Sequence, residues 1–165
     1  MTNNDILRSL RYALDLPDHQ LVELIRQGEG QARLDEAKRW LLNETEPEYL
    51  AVNDLTMHAL LDGLIVSRRG KREPPSDQPS PAVKVVSRMS NNLALKKLRI
   101  AFELKEDDLV EVFQQAGFRI SRPEISALFR APGHKNFRPC GDQVLRNFDM
   151  DLRDGVAEAG RSGRR

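Results

Sequence analysis

Sliding the chain by 88 residues lays it over itself without a gap. Asn3-Asn4 meets Asn91-Asn92, Leu7 meets Leu95, Leu10-Arg11 meets Leu98-Arg99, and Ala13 meets Ala101. Leu16 meets Leu104, Leu21-Val22-Glu23 meets Leu109-Val110-Glu111, and Gln27 meets Gln115. Between 3–27 and 91–115 there are 11 identities in 25 positions, where ordinary residue frequencies give ~1 or 2. The register then thins but holds through Glu36 on Glu124, Asp54 on Asp142 and Leu64 on Leu152. A tandem duplication restricts the fold severely, because both halves must reach the same structure. The units are placed at 1–70 and 89–156.

Residues 71–88 separate them and contain Pro74, Pro75, Pro79 and Pro81 among Ser76, Asp77, Gln78 and Ser80. Proline at that density blocks helix and central strand, which makes this a Pro-rich, basic, extended linker. Residues 157–165 end in Gly160-Arg-Ser-Gly-Arg-Arg165 and read as a disordered tail.

Each unit reads as four helices. Ile6, Leu7, Leu10, Ala13 and Leu14 form a stripe at helical spacing, as do Leu95, Leu98, Ala101 and Phe102. Asn3/Asn4 and Asn91/Asn92 are read as N-caps of those helices. A second helix carries Leu21, Val22 and Ile25, or Leu109, Val110 and Phe113, with Gly117 closing the later copy. A third opens at the capping box Ser121-Arg-Pro-Glu124, its counterpart running from about Asp35 through Trp40 and Leu41. The fourth begins near Asn53 or Gly141 and ends at Gly70 or Gly155. No stretch alternates with period two, so the fold class is all-α. A unit of ~65 residues has a thin core, so the halves are expected to pack on each other too.

The motifs Asn91-Asn92-x-x-Leu95-Lys96-Lys97-Leu98-Arg99-Ile100-Ala101-Phe102 and Arg130-Ala-Pro-x-His134-Lys135-Asn136-Phe137-Arg138-x-Cys140-Gly141-Asp142-Gln143 closely resemble the bacterial YehS-like family. The Asn4-Asp5-Ile6-Leu7-Arg8-Ser9 opening, Gly63-Leu64-Ile65 and Arg69-Gly70-Lys71 are similar to it as well. The resemblance covers nearly the whole chain apart from linker and tail. It implies a tandem domain of unknown function, with no activity, cofactor or catalytic residue to transfer.

The duplication supplies its own comparison for function. Before the fourth helix the first unit reads Glu44-Thr-Glu46-Pro-Glu48-Tyr49, whereas the second reads Pro132-Gly-His134-Lys135-Asn136-Phe137-Arg138 with Arg130 just ahead. Charge has inverted around one aromatic, and Tyr49 and Phe137 are read as core anchors beneath the two loops. Arg130, His134, Lys135, Asn136 and Arg138 are the candidate anion- or partner-binding residues. They would converge on a phosphate or carboxylate at the helix start near Gly141. The alternative is that these cations are solvated, or pair with the acidic loop of the other unit or of a second chain in a homodimer.

Residues 1–64 carry six basic and twelve acidic groups, a charge of −6, and residues 65–100 carry nine and two, a charge of +7. The remainder is neutral, for +1 overall. The basic block suggests nucleic-acid contacts through Arg68, Arg69, Lys71, Arg72, Lys96, Lys97, Arg99 and Arg122. A weak helix-turn-helix echo runs over Leu109–Ala116, Gly117 and Ser121–Arg130. Neutralisation of the acidic first unit is the competing role for that block. Glu23 and Glu111 fall on the outward face of the second helices.

Other classes have less support. Cys140, six residues from His134, invites a nucleophile reading, but it falls on Val52, so a small apolar slot explains it better. A single Cys excludes a disulfide framework or multi-Cys zinc site, and His19 and His58 lack spaced ligand partners. No phosphate loop, nucleophile elbow or HExxH pattern is present. No apolar run approaches the ~20 residues that cross a bilayer, and the opening lacks a signal-peptide layout. The expectation is a cytoplasmic, non-enzymatic helical binding or regulatory module without cofactor, metal or catalytic residues. Its partner is an acidic protein or, alternatively, DNA or RNA; a cysteine-dependent enzyme is the distant third.

Overall fold

The computed structural model describes residues 1–70, 88–115 and 117–162. Among them are eight α-helices and no strand: α1 (Asn3–Leu14), α2 (Asp18–Gln27), α3 (Leu34–Trp40), α4 (Asp54–Arg69), α5 (Asn91–Ala101), α6 (Glu106–Gln115), α7 (Arg122–Leu128) and α8 (Asp142–Ser162). The two units are homologous four-helix sets, α1–α4 and α5–α8, as the repeat requires. Residues 71–87, with Lys71 and Arg72, and residues 163–165 lie outside the described residues, so the linker reading lies there almost entirely.

Local signals set most boundaries. Ser121 and Glu124 form the expected capping box at α7, Asn53 caps α4, and Gly70 closes α4 at φ 85°. Gly117 turns the chain after α6 at φ 82°. Two readings need correction. The N-caps of α1 and α5 are Thr2 and Ser90, not the asparagines, because those hydroxyls accept from the backbone N–H three residues on. The last helix passes Gly155 and continues to Ser162, through the stretch read as the start of a disordered tail. Its two interior glycines, Gly155 and Gly160, cost a helix only ~1 kcal/mol each, and Ala157, Glu158 and Ala159 between them are good helix formers.

The asparagine pairs do something the cap reading did not anticipate. Asn4 Nδ2 donates to Trp40 O (3.1 Å) and Leu50 O (2.9 Å), while its Oδ1 accepts from Val52 N (2.9 Å). Asn92 repeats this with Leu128 O, Arg138 O (both 2.9 Å) and Cys140 N (2.8 Å). Asn3 bridges Val52 O and Asp54 Oδ1, and Asn91 bridges Cys140 O and Asp142 Oδ1. Each pair clamps the loop between the third and fourth helices of its unit onto the first. Val52 and Cys140 are buried at matching places beneath it.

The halves meet by exchange: α1 packs on α8, and α4 packs on α5. Both pairs run parallel. Along α1/α8, the Met1 amine meets Asp142 (2.8 Å) and Ser9 Oγ donates to Asp149 Oδ2 (2.7 Å). Along α4/α5, the Met89 N–H bonds the Asp54 carboxylate, Lys97 pairs with Asp62, and Arg69 pairs with Glu103 (3.3 Å). The Met1–Asp142 and Met89–Asp54 contacts are the same contact, 88 residues apart. One continuous cluster of buried side chains runs through both units, from Ile6, Leu10 and Leu60 to Leu98, Phe113 and Phe148.

The units differ where their second and fourth helices cross. A Cβ on Gly63 would lie 1.6 Å from Leu24 O, and one on Gly28 would lie 1.9 Å from Ala59 O, so α2 and α4 touch backbone to backbone. Gly63 corresponds to Asp151 in α8, which forbids that approach. Larger side chains fill the second unit: Phe113 and Phe148, with ring centroids 5.7 Å apart, replace Ile25 and Leu60.

Candidate partner-binding groove

In the second unit, α5, α7 and the loop after α7 enclose two adjoining depressions of about 430 Å³ each. Phe129, Arg130 and Ala131 form the wall common to both. One depression is lined further by Arg99, Glu106, Ser126 and His134. The other is lined by Arg88, Leu93, Lys96, Leu128, Pro132 and Phe137. The Asn92 clamp fixes this loop, and turn bonds from His134 N to Ala131 O (2.9 Å) and Phe137 N to His134 O (3.0 Å) shape it. The Asn136 N–H donates to His134 Nδ1 (3.0 Å), which leaves Nε2 of the neutral ring as the N–H donor. The Arg99 guanidinium lies 4.7 Å from the Phe129 ring centroid, and its Nε donates to Leu104 O (3.0 Å).

At the equivalent place in the first unit the cations are paired. Arg8, matching Lys96, donates to Leu42 O and pairs with Asp5 (3.5 Å). Arg11, matching Arg99, reaches Asp18 (3.7 Å). Leu93 stands where Asp5 would be, and Arg130 and His134 stand where the first unit has Leu42 and Glu46. Lys96, Arg130 and Lys135 therefore have no carboxylate partner among the described residues, and Glu106 is the only carboxylate among the residues lining the groove. Comparing the copies at Asp5/Leu93 could have exposed this in advance. Phe137 escaped notice as a groove wall because it reads as a core anchor.

The loop cations do not gather at the start of α8. Asp142 there accepts from the Met1 amine first and Asn91 second, which holds its carboxyl below the usual range. Arg130 and His134 face the groove, whereas Arg138 pairs with Glu124 (2.7 Å). Hydrogen bonds from Ser121, and then from Arg138, lower the Glu124 pKa. Tyr49 and Phe137 are half-buried and belong to neither core, so they are not the anchors the sequence suggested.

Most of the basic block is engaged within the fold. Arg68 lies 4.0 Å over the Phe102 ring and donates to Ala101 O, Arg69 reaches Ile100 O, and Arg122 pairs with Asp107. With Lys97 on Asp62, three of these cations join the units and one joins α7 to α6. Cys140 is buried, and that burial, followed by the nearby Asp149 and Asp142 charges, pushes its thiol up to about 11. A thiol so placed holds its proton at neutral pH and packs rather than attacks. Among the described residues, no three His, Cys, Asp or Glu side chains are grouped to hold a metal, and no helix is long and apolar enough to cross a membrane.

A two-copy, all-helical chain with a clamped loop in each copy defines a tandem-repeat class, and comparison agrees. The family model described as "Protein of unknown function (DUF1456)" matches residues 3–70 and again 91–150, so the chain belongs to that family. It is 45% identical over 148 residues to "Uncharacterized protein YehS" of Escherichia coli (strain K12), across 90% of this chain and 92% of that protein. No solved structure matches.

Proposed function

We propose that the protein is a non-enzymatic, cytoplasmic binding module that receives an acidic partner in the second-unit groove. The observation that carries this reading is the contrast between copies. The first unit neutralises the cations on α1 with its own Asp5 and Asp18, while the second leaves Lys96 and Arg130 open beside an apolar floor. A fixed loop with unspent positive charge recognises anions by complementarity. The linker-side block is a poorer candidate because Arg68, Arg69 and Lys97 already hold the units together.

The test is amide shift mapping of the isotope-labelled full chain during titration with a deca-glutamate peptide at low salt. Shifts should concentrate in residues 88–99 and 126–138. No shifts there, or equal shifts throughout the first unit, would overturn the reading.

A further inference from the structure

We infer that the groove is built for single-stranded nucleic acid, an inference that rests on the acidic-partner reading and narrows it to one ligand chemistry. The two depressions lie side by side and share Phe129, Arg130 and Ala131 as lining, so a strand seated in one can cross this wall into the other. Cations stand along that path: Lys96 and Arg88 on one side, Arg130 on the shared wall and Arg99 on the other, where the His134 ring adds an N–H donor. Between them lie the half-buried Phe129 ring, on which Arg99 rests, the half-buried Phe137 ring and Leu93. Phosphates alternating with planar bases match this alternation of charge and ring, the arrangement by which unpaired strands are held without sequence preference.

Two observations weigh against other polyanions. An extended peptide needs partners for its own backbone, and this loop has few to give. The N–H groups of Arg130, His134, Asn136, Phe137, Arg138 and Cys140 are all bonded within the unit. Duplex DNA needs a protruding element, but α7 has only seven residues, its Arg122 is held by Asp107, and its Glu124 is held against Arg138. What remains is a set of charged side-chain tips around ring faces, which a single strand satisfies.

The experiment is fluorescence anisotropy of the full chain with three labelled probes: oligo-dT of about 12 nucleotides, an abasic phosphodiester strand of equal length, and deca-glutamate. Stacking of even one base should make oligo-dT bind at least about fivefold tighter than the abasic strand. Phe129→Leu installs the residue found at the matching position Leu41, so the unit should fold. It should bring oligo-dT down to the abasic level and leave deca-glutamate unchanged. Lys96→Gln/Arg130→Gln should weaken all three. Equal affinity for the two strands, or indifference to Phe129→Leu, would overturn the nucleic-acid inference while leaving the acidic-partner reading standing. Binding of none of the probes would overturn both.

Discussion

Asp149 is fully buried where α1 meets α8, with Ser9 as its hydrogen-bond donor and its second oxygen, Oδ1, without a partner. Burial dominates and raises the carboxyl to about 7 from 3.8, the Ser9 bond opposing this only in part. Between those two values the folded chain holds a proton that the unfolded chain has released, so stability must fall as pH rises from about 4 to 7 and level off above. At 1.36 kcal/mol per pH unit, the total is about 4 kcal/mol. Asp149→Asn removes the ionisation and keeps an oxygen for Ser9, though it buries an amide in a place with no partner for it. We expect the variant to be more stable than the parent by about 2 to 4 kcal/mol near pH 8 and similar near pH 5. Guanidinium unfolding across that range measures both. Parallel pH profiles for parent and variant, or a variant weaker at pH 8, would refute the reasoning.

Three further outcomes follow from the packing. Asn92→Ala leaves two carbonyls and the Cys140 N–H without partners, and should cost about 2 to 4 kcal/mol in chemical unfolding and broaden the amide signals of the 130–140 loop. Gly63→Ala forces α2 from α4 and should cost about 3 kcal/mol or more, read as a lowered melting temperature. Cys140 should react with a thiol reagent at pH 8 only after unfolding, and Cys140→Val should change stability by less than about 1 kcal/mol, since Val52 fills the matching slot.

The repeat made most of the fold legible, because both copies carry the same helix stripes, whose period needs no tertiary information. The exchange of helices between units was beyond it: the α1 stripe of Ile6, Leu7 and Leu10 says that a face is buried and not against which helix. The asparagine pairs misled for a related reason. Their side chains suit a helix cap locally, but the carbonyls they hold, such as Trp40 O and Leu128 O, lie 36 residues away. Arg130 and His134 stood out through inverted charge. Arg68, Arg69, Lys97 and Arg122 looked like a nucleic-acid surface because sequence lists charges without their partners, and Asp62, Glu103 and Asp107 answer three of them.

The proposed binding depends on where the unspent charge lies rather than on its amount. A matched pair of variants separates the two: Lys96→Gln/Arg130→Gln in the groove, and Arg26→Gln/Arg33→Gln on the first unit, whose side chains lie exposed beside Glu23 and Asp35. Both remove two positive charges. Measured by anisotropy with labelled deca-glutamate at ~50 mM salt, where phosphate- or carboxylate-driven attraction is strong, the groove pair should lose most of the affinity and the first-unit pair should retain it. Equal losses from both would contradict the groove as the binding site.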